Sequence, residues 1–442
     1  MPVVEINTDL REELALRLSE ARRRSDELFA VVRGNSLYER PIPERHRIIF
    51  YLGHLEAFDW NLLHQRALGL EAFDAAANRL FAFGIDPVDG GLPKDRPEDW
   101  PAEGKVREYV ARVRETLDSG IERAMASGFR GEFPLPQLLN VAIEHRLMHC
   151  ETLAYMLHQL PIDHKVFQPQ SSPKQTSPIR KQMIEIPAGV ATLGLARESG
   201  NFGWDNEFEA HSVNVPGFAI DQYKVTNGDY LEFMRAGGYE NQALWSEADW
   251  KWRREQNITH PAFWKRSGDG WLYRGMFEEI PLPLDWPVYV SHAEASAFAR
   301  WSGKSLPTEA QWHRAAYGTT TGEETAYPWG SEEPEARFGN FDFERWDPNA
   351  VNSSPQGDSG FGVSGMVGNG WEWTSSVFAP FGGFERFPFY PGYSADFFDG
   401  KHFVMKGGSA RTAACMLRRS FRNWFQSHYQ YVYAGFRCVR ES

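Results

Sequence analysis

His145 and His149 stand one helical turn apart in Asn140–Gln159, NVAIEHRLMHCETLAYMLHQ, and no other feature constrains the fold of this chain as much. Leu138, Ala142, His145, His149, Thr152 and Met156 recur at spacings of three and four, which puts them on one face of an α-helix. Two imidazoles at i and i+4 on an inward face can offer ring nitrogens to a single metal ion. The same two side chains can equally be core histidines held by hydrogen bonds. Glu151 adds a carboxylate two residues beyond the pair. Taken alone, the helix leaves both readings open.

The residues before it supply partners for such a helix. Leu10, Leu14, Leu18, Ala21 and Leu28 form a first apolar stripe. A second helix is expected over Glu44–Leu70, with Ile48, Leu52, Leu55 and Leu62 inward and His46, His54 and His64 aboard. Phe83–Pro101 is dense in Gly, Pro and Asp and reads as a long loop, a feature that is usually functional or disordered. Val106, Val110, Val113, Leu117 and Ile121 mark a third helix, and the His145/His149 helix is the fourth. Four amphipathic helices read as a bundle over residues 1–165, an architecture that builds metal sites between facing helices. Residues 166–182, rich in Pro, Ser, Gln and Lys, read as a linker.

From residue 183 to 442 the texture changes. Strand-like pieces are short, Gly and Pro punctuate them, and of 16 tryptophans all but Trp60 and Trp100 lie at or beyond Trp204. Helical stretches stand out at Asn227–Met234 and at Ala293–Trp301 with Thr308–Ala316 behind it. The expectation is an α+β chain: a helical bundle, then a compact domain of much irregular structure held by aromatics.

A net charge of −12 argues against nucleic-acid binding, which requires a basic surface. No run of eighteen apolar residues occurs, so no membrane-spanning helix is expected, and the N-terminus lacks the pattern of a signal peptide. Three cysteines, Cys150, Cys415 and Cys438, are too sparse for a disulfide scaffold and fit a reducing, cytoplasmic setting. The pattern fixes no oligomeric state.

The second half carries a series of specific phrases: IPAG from Ile186, FAIDQYKVTNGDYLEF from Phe218, PVYVSHAEASAFARWSGKSLPTEAQWHRAA from Pro287, GMVGNGWEWTSS from Gly365, VMKGGSA from Val404 and AGFRC from Ala434. Together they resemble the formylglycine-generating-enzyme (sulfatase-modifying-factor) domain, a C-type-lectin-like fold. The first half resembles a DinB-type four-helix bundle. Their fusion in this order resembles the sulfoxide synthases of ergothioneine biosynthesis, which join a thiol sulfur to the imidazole carbon of N-α-trimethylhistidine (hercynine) with non-heme iron and O2.

The resemblance implies a three-histidine Fe(II) site. Its first ligand falls in Leu52-Gly53-His54-Leu55, and the other two in His145-Arg-Leu-Met-His149-Cys-Glu151. His46 and His64 belong to no matched phrase. A zinc-protease reading fails because Arg146 stands where HExxH requires Glu. Three neutral imidazoles leave the charge of the ion intact and up to three positions open for a thiolate and O2. The residues alone would also suit zinc or copper, so iron is implied by the resemblance.

The resemblance also implies that Glu151, Asn423 and Trp424 cradle hercynine, an aromatic face suiting a quaternary ammonium. After Trp424 the chain departs from the best-described members, which carry Asp and then Arg four positions on; here Phe425 and Tyr429 stand there. With only Lys94 and Arg96 in the long loop of the bundle, free cysteine is favoured over γ-glutamylcysteine. Arg96, Glu385 and Arg386 are the candidates to grip that zwitterion. A phenol that delivers a proton during oxygen reduction is implied by Tyr390-Pro-Gly-Tyr393, with Tyr390 first and Tyr393 as the alternative.

Three other readings compete. A true formylglycine-generating enzyme needs a cysteine pair after the Gly-Gly-Ser motif, and only Cys415 lies near it. A non-catalytic lectin-like module is disfavoured by the complete His54/His145/His149 set. A paralogue using a selenium donor, or one making an ovothiol-type bond, stays within the same enzyme class.

Overall fold

The computed structural model describes residues 8–82, 93–127, 131–170 and 178–441. The expected loop from Phe83 lies outside the described residues as far as position 92, and the expected linker does so over 171–177. The chain divides into two compact units, Met1–Gln168 and Pro169–Ser442.

The first unit contains α1 (Thr8–Val31), α2 (Ile48–Leu63), α3 (Ala75–Leu80), α4 (Glu103–Ser127) and α5 (Leu135–Gln159). In α5, 20 of 25 residues are buried, and α2 is buried almost throughout. Helices buried on nearly every side occupy the middle of a bundle. Accordingly α5 packs on α1 and α2, and α2 packs on α4 as well. Leu14, Leu18, Ala21 and Leu28 of the first stripe are buried, whereas Leu10 remains exposed.

Helix α2 is shorter than Glu44–Leu70. Before it, Arg47 is extended, its guanidinium held by the Tyr38 carbonyl at 2.6 Å and Asp95 at 3.1 Å. Beyond it, Gly69 at φ 61° enters the left-handed region and lets the Leu70 N–H reach the His64 carbonyl at 2.7 Å. The additional α3 is a single short piece capped by Asp74, which accepts the Ala77 N–H at 2.9 Å.

The second unit opens with β1 (Met183–Ile186), β2 (Gly189–Leu193), β3 (His211–Val215) and β4 (Phe218–Asp221). Then come α6 (Asn227–Arg235), α7 (Glu247–Glu255), β5 (Trp264–Ser267), β6 (Gly270–Arg274), β7 (Glu279–Pro281), α8 (His292–Trp301) and α9 (Glu309–Tyr317). It ends with β8 (Trp371–Val377), β9 (His402–Lys406), β10 (Asn423–Gln426), β11 (Ala434–Gly435) and β12 (Val439–Glu441). Four small sheets result: β1-β4-β12, β10-β9-β8-β11, β2-β3 and β5-β6-β7. One core gathers Ile186, Phe218, Ile220, Trp312 and Val439 around α9. Helices α6, α8 and α9 each begin with a Thr or Ser capping box. Helix α7, EADWKWRRE, is the one that periodicity misses: it has no apolar stripe, and its start is set by Ser246 accepting the Asp249 N–H.

Candidate metal centre

Helix α5 presents His145 and His149 on one face, their Nε2 atoms 3.1 Å apart. Helix α2 brings His54 against them, with ring centroids 5.5 Å from His145 and 4.9 Å from His149. One ring nitrogen from each of the three lies within 4.8 Å of the others, and all three side chains are buried.

The ring electronics follow from the surroundings. His54 Nδ1 lies 2.7 Å from the Phe81 carbonyl oxygen. A carbonyl can only accept, so Nδ1 carries the proton and Nε2 keeps its lone pair. A metal-bound histidine is usually oriented by such a bond from its other nitrogen. Burial lowers the His54 imidazole to about 4. Burial likewise holds His145 and His149 well below their ordinary value, reinforced by the neighbouring rings, His149 for the first and His54 for the second. All three are therefore neutral at pH 7, the form that ligates.

The donor set fits a metal. Nitrogens bound at about 2.1 Å stand about 3.0 Å apart across a right angle and about 3.4 Å apart across a tetrahedral one. The 3.1 Å separation lies in the range that two nitrogens on one ion require.

Aromatic rings fix the imidazole planes. Phe50 and Phe58 flank His54 one turn away on either side along α2. Phe50 stacks on His54 at 4.8 Å and 25°, and Phe58 stacks on His145 at 3.4 Å and 11°. His46 extends the column, 4.3 Å from Phe50. His64 instead packs on Trp60 and bonds its carbonyl at 2.8 Å. Sequence reading passed over both phenylalanines, because aromatics at helical spacing on a buried helix read as core; their i−4 and i+4 relation to His54 was the available signal. Glu151 is buried on α5 but outside the three-histidine cluster.

In the second unit the predicted residues form an aromatic group. Trp424 on β10 stacks on Phe378 at 4.2 Å and 6° and meets the edge of Tyr393 at 5.4 Å. Tyr393 is buried and lies flat on Trp204 at 3.9 Å, with half-buried Tyr390 5.6 Å from it. Trp204 is the member that sequence reading did not single out. Asn423 Oδ1 accepts the Trp424 N–H at 2.8 Å, and Phe425 stacks on Tyr429 at 4.9 Å. Arg96, Glu385 and Arg386 are exposed; Arg96 pairs with Asp99 at 3.7 Å, and Glu385 stands 4.0 Å from Arg197.

Residues 168–442 match the family described as Sulfatase-modifying factor enzyme 1-like domain, and residues 17–153 match the DinB superfamily. The chain is 34% identical to a hercynine oxygenase of Mycobacterium tuberculosis, over 76% of this chain and 77% of that one. The chain belongs to the hercynine oxygenase family. It is 35% identical to the hercynine oxygenase of Mycolicibacterium smegmatis, again over 76% of this chain and 77% of the relative. Ergothioneine biosynthesis protein 1 of Neurospora crassa is 30% identical over 92% of this chain, which spans 55% of that longer protein. As a family member the chain is an oxidoreductase, with a DinB-type helical unit preceding a mixed helix-and-sheet unit. Among the described residues no helix is long and apolar enough to cross a membrane.

Proposed function

We propose that this enzyme is a non-heme iron(II), O2-dependent sulfoxide synthase that joins the sulfur of a thiol to the imidazole carbon of hercynine in ergothioneine biosynthesis. The observation that carries the reading is the buried, neutral His54/His145/His149 triad in a chain so closely related to hercynine oxygenases. When bound there, Fe(II) supplies the capacity to coordinate a thiolate and reduce O2. The chain supplies the rest. His54, His145 and His149 hold the ion, and the Phe81 carbonyl keeps His54 in the ligating tautomer. Glu151, Asn423 and Trp424 bind hercynine, the indole face taking the trimethylammonium. Tyr390, or Tyr393 in its place, delivers a proton as oxygen is reduced. Arg96, Glu385 and Arg386 are the candidates to hold the charged ends of the co-substrate, small amino-acid thiols and no nucleic acid or membrane being its partners. Three free cysteines and no disulfide among the described residues support a cytoplasmic setting.

Cysteine is the favoured donor. The stacked Phe425–Tyr429 pair stands where the best-described members carry Asp and Arg, a departure that bears on the donor, and the second reading, within the same enzyme class, takes a selenol in its place. The test is a single anaerobic preparation loaded with Fe(II), given hercynine and O2 with cysteine, γ-glutamylcysteine and a series of selenols, and read by mass spectrometry. A carbon–sulfur or carbon–selenium adduct of hercynine is expected. No adduct from any donor, with stoichiometric iron bound, would overturn the reading.

A further inference from the structure

Arg146 follows the ligand His145 and is wholly buried, with no exposure of its side chain. Its Nη2 donates to Asp59 Oδ2 at 2.6 Å and to the Leu55 carbonyl at 3.3 Å, and pairs with Glu56 Oε2 at 2.9 Å. Its Nη1 donates to Ser25 Oγ at 3.2 Å. Glu56 Oε1 in turn accepts Arg114 Nε at 2.8 Å, and Arg114 pairs with Asp26 at 2.7 Å. Residues of α1, α2, α4 and α5 are thus tied by one network, adjoining His54 on one helix and His145 on another.

Stability does not account for it. Removing two carboxylates and a guanidinium from water is costly, and well-packed apolar side chains of the same volume often serve as well or better. What an apolar seam lacks is direction. It binds through buried area, which changes little when one helix rotates or slides on its neighbour, whereas a guanidinium fork bonded to a backbone carbonyl admits one register. His145 and His149 need no such aid, because a single helix sets their spacing. His54 arrives on a different helix, and its distance from them depends wholly on how α2 is seated against α5.

We propose that Arg146 is a positioning residue for the metal centre. Its Nη2 on Leu55, Glu56 and Asp59 of α2, with Nη1 on Ser25 of α1, locks α2 in register with α5, so that His54 meets His145 and His149 at ligating distance. The inference rests on the metal-site reading above and names the part of the chain that pre-organises it.

The test uses the full-length apo protein and Co(II) as the probe, titrated anaerobically and followed by its visible absorption bands. Arg146→Met alone would strand two buried carboxylates, so it is combined with Glu56→Gln and Asp59→Asn, which keep volume and leave Arg114 paired with Asp26. This triple variant is expected to keep an apo melting midpoint within about 5 °C of wild type. Its Co(II) dissociation constant should rise by about 10–100-fold, the range for groups that orient ligands, with altered absorption bands. A dissociation constant within about twofold of wild type and an unchanged spectrum would overturn the proposal. Should the triple variant fail to fold, Arg146→Lys decides, since it keeps the charge and loses the fork; at least about tenfold weaker binding supports the proposal, and unchanged binding overturns it. A wild-type protein that binds no Co(II) would overturn the metal-site reading and the clamp together. Wild-type binding with unaffected variants overturns the clamp alone.

Discussion

His54 donates its Nδ1–H to the carbonyl oxygen of Phe81 across 2.7 Å, the contact that commits its other nitrogen to the space shared with His145 and His149. Phe81 follows α3 and is buried, so a backbone atom outside α2 and α5 sets the tautomer of His54. A neutral triad would also take up a metal ion without first releasing protons at pH 7, since burial already holds each ring below its ordinary value.

Replacing His54, His145 or His149 by Ala should weaken metal binding by more than the roughly 100-fold reached when an orienting group is lost, and reduce turnover to background. Isothermal titration with Co(II) and an oxygen electrode on Fe(II)-loaded protein measure the two effects. In wild type, metal at a hundred times its dissociation constant should stabilise the fold by about 2.7 kcal/mol, a rise of roughly 5–10 °C that a chelator reverses. A variant that keeps both full occupancy and that thermal shift removes its residue from the ligand set.

A second prediction concerns acid stability in the other unit. Burial tends to raise the Glu324 carboxyl, but the His313 ring, its Nε2 3.3 Å away, and the Thr192 N–H at 2.8 Å outweigh it and hold it down at about 2. A carboxyl depressed on folding contributes stability that is whole above about 4.5 and is lost as pH falls toward 2. Glu324→Gln should therefore cost about 1–2 kcal/mol at pH 7, the full shift being discounted for partial exposure. The gap between variant and wild type should close between pH 4.5 and 2. Urea unfolding at pH 7 and pH 3 measures it; a gap that stays constant with pH would show that the lost carboxylate charge is not the cause.

The sequence announced these features unequally. The His145/His149 pair was legible because helical periodicity and ligand spacing coincide on α5. His54 was reached only through family resemblance: the inward face read for α2, Ile48, Leu52, Leu55 and Leu62, leaves it out, whereas the helix is buried on nearly every side. The Arg146 network was invisible for a different reason. Asp59 and Ser25 lie 87 and 121 residues from Arg146, and nothing local in the sequence links them. Helix α7 escaped because a capping serine and charges, without an apolar stripe, define it. Tyr393 and Trp424 were named from phrases, while their meeting with Trp204 depends on a loop whose path periodicity does not encode.

Trp424 supplies a third prediction. Its ring is held by Phe378 on one face, so replacing it removes a rigid aromatic surface without disturbing a backbone pairing of β10. Loss of a cation–π partner for a quaternary ammonium should raise the KM for hercynine about 5–30-fold, from an interaction of roughly 1–2 kcal/mol, while the KM for the thiol stays within about twofold. Steady-state kinetics of Trp424→Ala with each substrate varied in turn provides the comparison. Equal effects on both would make Trp424 a packing residue only.

The last prediction concerns where the oxygen atoms go. A thiolate held beside activated oxygen has two fates: oxidation of its own sulfur to a sulfinic acid, or bonding to the imidazole carbon. A phenol that delivers a proton early in oxygen reduction favours the second by drawing oxygen away from sulfur. Tyr390 and Tyr393 differ in their freedom to do this. Tyr393 is buried and stacked flat on Trp204, and Tyr390 is half-buried, with its ring more loosely placed 6.4 Å from the same indole. A proton donor must be replenished from solvent, which favours the more accessible phenol. Tyr390→Phe deletes only a hydroxyl, so the melting temperature should hardly change. The variant should still consume O2 and thiol, with its product shifted at least about tenfold toward the sulfinic acid, since general acid catalysis is commonly worth 10²–10⁴ in rate. Mass spectrometry of both products against O2 consumed gives the ratio. An unchanged ratio transfers the role to Tyr393→Phe as the next variant, and silence in both would remove the Tyr390-Pro-Gly-Tyr393 phrase from the proton path.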